Sequence, residues 1–104
     1  MDFKKIYENT QNTISEMCRQ YNIIPIYSEF NNAPELILEA HKGIKNHPIE
    51  RLFIHKGSPQ IEWCDLTSDR KVSMRRIMAD EAEAAYFIGI PLSALEKIIA
   101  EFNK

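Results

Sequence analysis

Ile23-Ile24-Pro25-Ile26-Tyr27-Ser28-Glu29-Phe30-Asn31-Asn32-Ala33-Pro34-Glu35-Leu36-Ile37-Leu38-Glu39-Ala40-His41-Lys42-Gly43-Ile44 carries the topology of this chain. Its first five residues are aliphatic, proline and aromatic, a composition that predicts a strand. Pro25 has no amide proton to donate, so that strand belongs at a sheet edge. Asn31-Asn32 offers a helix cap and Pro34 suits a first helical turn, with Glu35 and Glu39 placed towards the positive end of a helix dipole. Leu36, Ile37, Ala40 and Ile44 supply an apolar side, and Gly43 followed by Ile44 reads as a Schellman ending. The spacing therefore predicts a short helix over 34–44 directly after the strand.

Downstream, Leu52-Phe53-Ile54 is a continuous apolar run of the kind buried on both faces. Lys56-Gly57-Ser58-Pro59 is turn chemistry. Gln60 to Asp65 then alternates Ile61 and Trp63 with Glu62 and Cys64, which predicts a hairpin with residues 55 and 60 opposite one another. Strand, helix and strand over 23–55 have the length of a right-handed βαβ crossover. A three-stranded mixed sheet follows, with the 50–55 strand central and the Pro25 strand at an edge.

Helices are expected on either side. Phe3, Tyr7, Thr10, Ile14, Met17 and Tyr21 recur in steps of four and three, with Ile6 and Cys18 widening the stripe, and Asn22 is a natural stop. The same stripe permits a coiled-coil seam and hence a homodimer. Met74, Ile77, Met78, Ala82, Ala85 and Ile88 predict a long helix ended by Gly89. After Pro91, Leu92, Leu95, Ile98, Ile99 and Phe102 predict a final one. The expected architecture is α+β in the order α-βαββ-αα, a single domain over 1–104 with a C-terminal αα-hairpin.

Composition narrows the function classes. The chain has 104 residues, 44% hydrophobic and 27% charged, which is the balance of a soluble globular domain rather than a disordered one. The longest apolar run, Ala84 to Leu92, is well short of the roughly 20 residues a membrane helix needs. Met1-Asp2-Phe3-Lys4-Lys5 shows no apolar signal core, and Cys18 and Cys64 read as reduced thiols, so a cytoplasmic location is expected. Charge is segregated. Residues 1–40 carry three basic and six acidic side chains, 41–76 eight and four, and 77–104 two and five. Within the basic middle, Arg70, Lys71, Arg75 and Arg76 form the densest cluster, a candidate surface for a protein partner or another acidic surface.

Glu81 to Ala100 resembles the helix-turn-helix pattern, with Ala85 at the fifth position, Gly89 at the ninth, and Ile88, Ile90, Leu95 and Ile98 at apolar positions. The resemblance implies a DNA-binding element whose second helix would present Leu92, Ser93, Glu96, Lys97 and Glu101. Those acids oppose the phosphate neutralisation on which DNA affinity depends. His41, His47 and His55 lack the paired ligand spacing of a zinc site, so no metal and no cofactor are expected. Cys64 with His55 is the one nucleophile–base pair to consider, and hairpin geometry sets the two about four residues apart along the ladder. No phosphate loop, dinucleotide fingerprint or nucleophile elbow is present. The expectation is a non-enzymatic protein that binds another protein. DNA binding through 81–100 is the alternative, and a small thiol enzyme using Cys64 the third.

Overall fold

The computed structural model describes residues 8, 10–41, 49–66 and 74–104. Helix α1 (Gln11–Gln20) is followed by strands β1 (Ile23–Phe30), β2 (Ala33–His41), β3 (Ile49–His55), β4 (Ile61–Leu66) and β5 (Arg76–Ile77). Helices α2 (Glu81–Ile88) and α3 (Leu92–Phe102) complete the fold. The strands form one antiparallel meander in the order β1-β2-β3-β4-β5. The class is α+β, but the expected three-stranded mixed sheet is corrected to five antiparallel strands.

The correction begins at Asn31-Asn32. Both residues have positive φ, 52° and 62°, the pair of left-handed conformations that a two-residue type I′ hairpin turn requires. Asparagine tolerates that region better than other non-glycine residues, because its short side chain bonds locally. The dipeptide therefore reverses the chain instead of capping a helix. Phe30 pairs with Ala33 and the ladder runs back to Ile23 opposite Ala40. The segment expected as a helix over 34–44 is β2 through His41, with its remaining residues outside the described ones, and no βαβ crossover exists.

Counted in twos from the closing pair of the turn, Pro25 falls where its nitrogen faces away from β2, so β1 is an edge strand that loses no ladder bond. Pro34 sits where the β2–β3 ladder ends, its carbonyl accepting the Lys56 amide at 3.2 Å.

The β3–β4 hairpin has the expected register, with Ile54 opposite Ile61 and Arg51 opposite Cys64. The long helix expected from Met74 is shortened. Its first residues are extended and form β5, and α2 starts only after Asp80, whose carboxylate accepts the Glu83 amide at 2.8 Å. Glu83 reciprocates by accepting the Ala79 amide at 3.3 Å, a cap that satisfies two otherwise orphaned donors. Gly89, at φ 80°, ends α2 in the left-handed conformation, and the Ala85 carbonyl accepts from both Gly89 and Ile90. Asn22, at φ 57°, follows the end of α1 in the same region.

One face of the sheet carries the main core. Leu36, Leu38, Leu52, Ile54 and Ile61 pack there against Ile14 and Cys18 of α1, Ala84, Ala85 and Ile88 of α2, and Leu95, Ile98 and Phe102 of α3. Each of the larger aliphatic side chains contributes about 1.5–3 kcal/mol by leaving water. The end of α3 is tied to the β3–β4 turn. Lys56 Nζ donates to the carbonyls of Phe102 and Lys104, and the Gly57 amide donates to Asn103 Oδ1. A cation at a helix C-terminus complements the dipole.

Candidate functional site

The opposite face of the sheet is where the ionisable side chains converge. Because side chains alternate along a strand, Glu35, Ile37, Glu39 and His41 of β2 share this face with Ile49, Arg51, Phe53 and His55 of β3. Glu62, Cys64 and Leu66 of β4 join them. Register places Glu35 opposite His55 and Glu39 opposite Arg51, so two acid–base pairs stand side by side, separated by the apolar pair Ile37 and Phe53.

The first cluster is anchored by Glu35, which is only 2% exposed. Arg75 reaches it with Nη1 at 2.8 Å and Nη2 at 3.5 Å. His55 Nε2 lies 2.9 Å from Glu62 Oε1 and 3.6 Å from Glu35 Oε2. The Arg75 guanidinium stacks 3.6 Å from the Phe53 ring centroid and 4.6 Å from that of Phe30. A planar guanidinium suits this arrangement, since it can pair with a carboxylate in its plane and present its face to a ring. In the second cluster Glu39 accepts from Arg51 at 2.8 Å and sits 2.7 Å from His41 Nε2. Burial raises the Glu39 carboxyl, but the hydrogen bonds from His41 and Arg51 outweigh it and hold the group below its ordinary range.

These charges satisfy one another. A cleft of about 300 Å³ is lined by Ile54, Gly57, Ser58, Pro59, Ile61, Glu81, Ile99 and Asn103, and none of the two clusters' residues reaches it. Cys64 lies on the clustered face, fully buried, with its thiol pushed up by burial against the opposing pull of Arg51 and Arg75. Cys18 is likewise buried and pushed up to about 11. Neither thiol is poised as a thiolate nucleophile, and Cys64 is opposite Arg51, not His55. Among the described residues no group of three His, Cys, Asp or Glu side chains could hold a metal ion. His47 lies outside them.

The basic cluster expected to act as one surface is divided. Arg70 and Lys71 lie outside the described residues. Arg75 and Arg76 are neighbours on an extended segment and so project to opposite faces. Arg75 is engaged with Glu35, whereas Arg76 turns to the helical side, 5.2 Å from the Trp63 ring centroid and 5.4 Å from that of Phe87. No described carboxylate pairs with Arg76. Since β5 is a strand, the expected conflict between these cations and a helix dipole does not arise.

Around Arg76 lie side chains whose exposure could not be inferred from their periodicity. Met74 is 91% exposed and Tyr86 81%, the Tyr86 ring lying 6.2 Å from that of Phe87, while Ile77, which projects to the opposite face, is 60% exposed. Tyr86 sits in an unbroken apolar run, and only the orientation of α2 turns it outward. Arg, Met and aromatic residues grouped on a surface have the composition of a protein interface core.

The αα-hairpin at 81–100 exists, with Leu92, Ser93, Glu96 and Lys97 of α3 exposed. Ser93 and Lys97 line a cleft of about 240 Å³ shared with Met17, Gln20 and Tyr21 of α1. Among the described residues no helix is long and apolar enough to cross a membrane.

No family model, no curated protein and no solved structure matches this chain.

Proposed function

We propose that this protein acts without catalysis of its own, by binding a partner protein through the surface around β5 and α2. The observation that carries this reading is Arg76, a guanidinium spread over Trp63 and Phe87 with no described counter-charge, with Tyr86 exposed beside Phe87 and Met74 and Ile77 exposed along the same segment. Desolvating such a group against a partner's rings and carboxylates is how interface hot spots are made. The Glu35 cluster on the opposite face has the complementary role of fixing β5 in place, since Arg75, next to β5, pairs with Glu35.

A photo-reactive amino acid placed at Tyr86 tests this in the native cell. Discrete adducts are expected from that position, and none from Asn31 at the far edge of the sheet. Adducts from both positions, or from neither, would sink the reading.

Duplex DNA is the alternative partner, favoured by the hairpin of α2 and α3. It requires a steep fall in affinity with salt, and Glu96 stands beside Lys97 on the helix that would enter the groove. A mobility shift at low salt that is lost on Lys97→Glu, with no adducts at Tyr86, would put DNA in place of a protein.

A further inference from the structure

Among the described residues β5 is the last strand of the sheet, and its backbone is half used. The Met78 amide donates to the Ile61 carbonyl at 2.8 Å, and Ile77 and Arg76 stand opposite Glu62 and Trp63. In an antiparallel ladder the bonded and non-bonded pairs alternate. Arg76 therefore turns its amide and carbonyl towards β4, while Arg75 and Ile77 turn theirs outward, where no described residue hydrogen-bonds them. An outward-facing row of this kind is a template for another strand.

Side chains set what that strand must carry. A residue opposite Arg76 would share its face and meet a guanidinium backed by Trp63 and Phe87. Residues on the other face would meet Ile77, which is 60% exposed, next to Arg75, already paired with Glu35. We infer that the β5 edge accepts an extended segment of another protein that alternates acidic and apolar residues, added to the sheet as a sixth strand. This inference rests on the binding function proposed above and names the chemistry of the partner.

A second copy of this chain fits less well. The two-fold pairing that uses both outward-facing residues sets Arg75 opposite Ile77 of the other copy, and this puts Arg76 directly opposite Arg76. Like charges at a directly opposed pair are destabilising. Of the acids that follow Arg76 in the chain, Asp80 and Glu83 are committed to the cap of α2, and Glu81 lines the cleft beside the β3–β4 turn.

The test uses a capped synthetic peptide alternating aspartate and valine, with its lysine–valine counterpart as control. Trp63 is the single tryptophan, so its fluorescence reports on the Arg76 platform. Saturable binding of the aspartate peptide is expected, with an advantage of about tenfold or more over the lysine peptide and slowed hydrogen exchange at the Ile77 amide. Arg76→Glu should invert the preference, a gain of function that misfolding cannot mimic. Ile77→Pro should weaken binding by removing an outward donor while leaving every bond to β4 intact.

Equal binding of both peptides, binding of neither, or an unprotected Ile77 amide would overturn the inference. So would a concentration-dependent dimer that Ile77→Pro abolishes, since that makes a second copy the occupant. Adducts at Tyr86 in cells together with any of these results would leave the binding function standing and remove only the acidic strand.

Discussion

Replacing Arg75 by alanine should damage this fold more than the loss of any other partly exposed charge described here. Glu35 is almost completely out of water, and its nearest cation is the Arg75 guanidinium at 2.8 Å. Removing one partner of a buried pair costs about 3–5 kcal/mol, because the remaining charge is left desolvated. Arg75 keeps 28% of its side-chain surface exposed, which places the electrostatic loss at the low end of that range. Its stacking on Phe53 at 3.6 Å contributes about 1 kcal/mol more. The two effects overlap, so about 3 kcal/mol is expected for Arg75→Ala.

Urea unfolding followed by Trp63 fluorescence measures it. With an m-value of about 1.5 kcal/mol/M for a domain of this size, the midpoint should fall by about 2 M. Replacing both partners with apolar side chains, Glu35→Leu with Arg75→Met, should recover most of the loss, since an apolar pair carries no desolvation penalty. A loss below about 1 kcal/mol for Arg75→Ala would refute the reasoning. A double variant as unstable as the two single losses added together would refute it equally, because it would show that the two side chains do not act as a pair.

Other perturbations test separate parts of the structure. Asn31→Ala should cost about 1 kcal/mol because alanine resists the left-handed conformation, while Asn32→Gly should be neutral or stabilising, both read from thermal midpoints. Glu39 is held below its ordinary value of 4.5 in the folded chain. Between that lowered value and 4.5 the unfolded chain binds more protons, so stability is present above this window and falls as pH drops through it. Glu39→Gln should therefore flatten the acid limb of a stability–pH curve, and an unchanged limb would contradict the assignment. Cys18 and Cys64, both fully buried with raised thiols, should resist a thiol reagent until urea unfolds the chain. Rapid native labelling that disappears in Cys64→Ser would instead revive a reactive cysteine.

Several elements could be inferred from local chemistry because local chemistry controls them. Turn residues at 56–59 flanked by alternating apolar positions set the β3–β4 register. Gly89 before Pro91 separates α2 from α3, and Pro25 marks an edge. The candidate site was far less legible. Glu35 and Glu39 look like acids near the positive end of a helix dipole as long as their partners are unknown, and those partners, Arg75, His55 and Arg51, lie far away in the chain. Arg75 and Arg76 look like one basic patch until β5 sends them to opposite faces.

By itself the sequence settled that this is an α+β chain with an amphipathic first helix, a central hairpin and a terminal helix pair, since periodicity and turn chemistry are properties of neighbouring residues. Tertiary structure decided whether 33–41 would be helix or strand. Leu36, Ile37 and Leu38 are buried on both sides, so the run has neither the alternation of a half-exposed strand nor a solvent face that would betray a helix. What tips it is pairing with β1 on one side and β3 on the other, together with cross-strand cations that make two buried glutamates tolerable, and none of these is present within the segment itself.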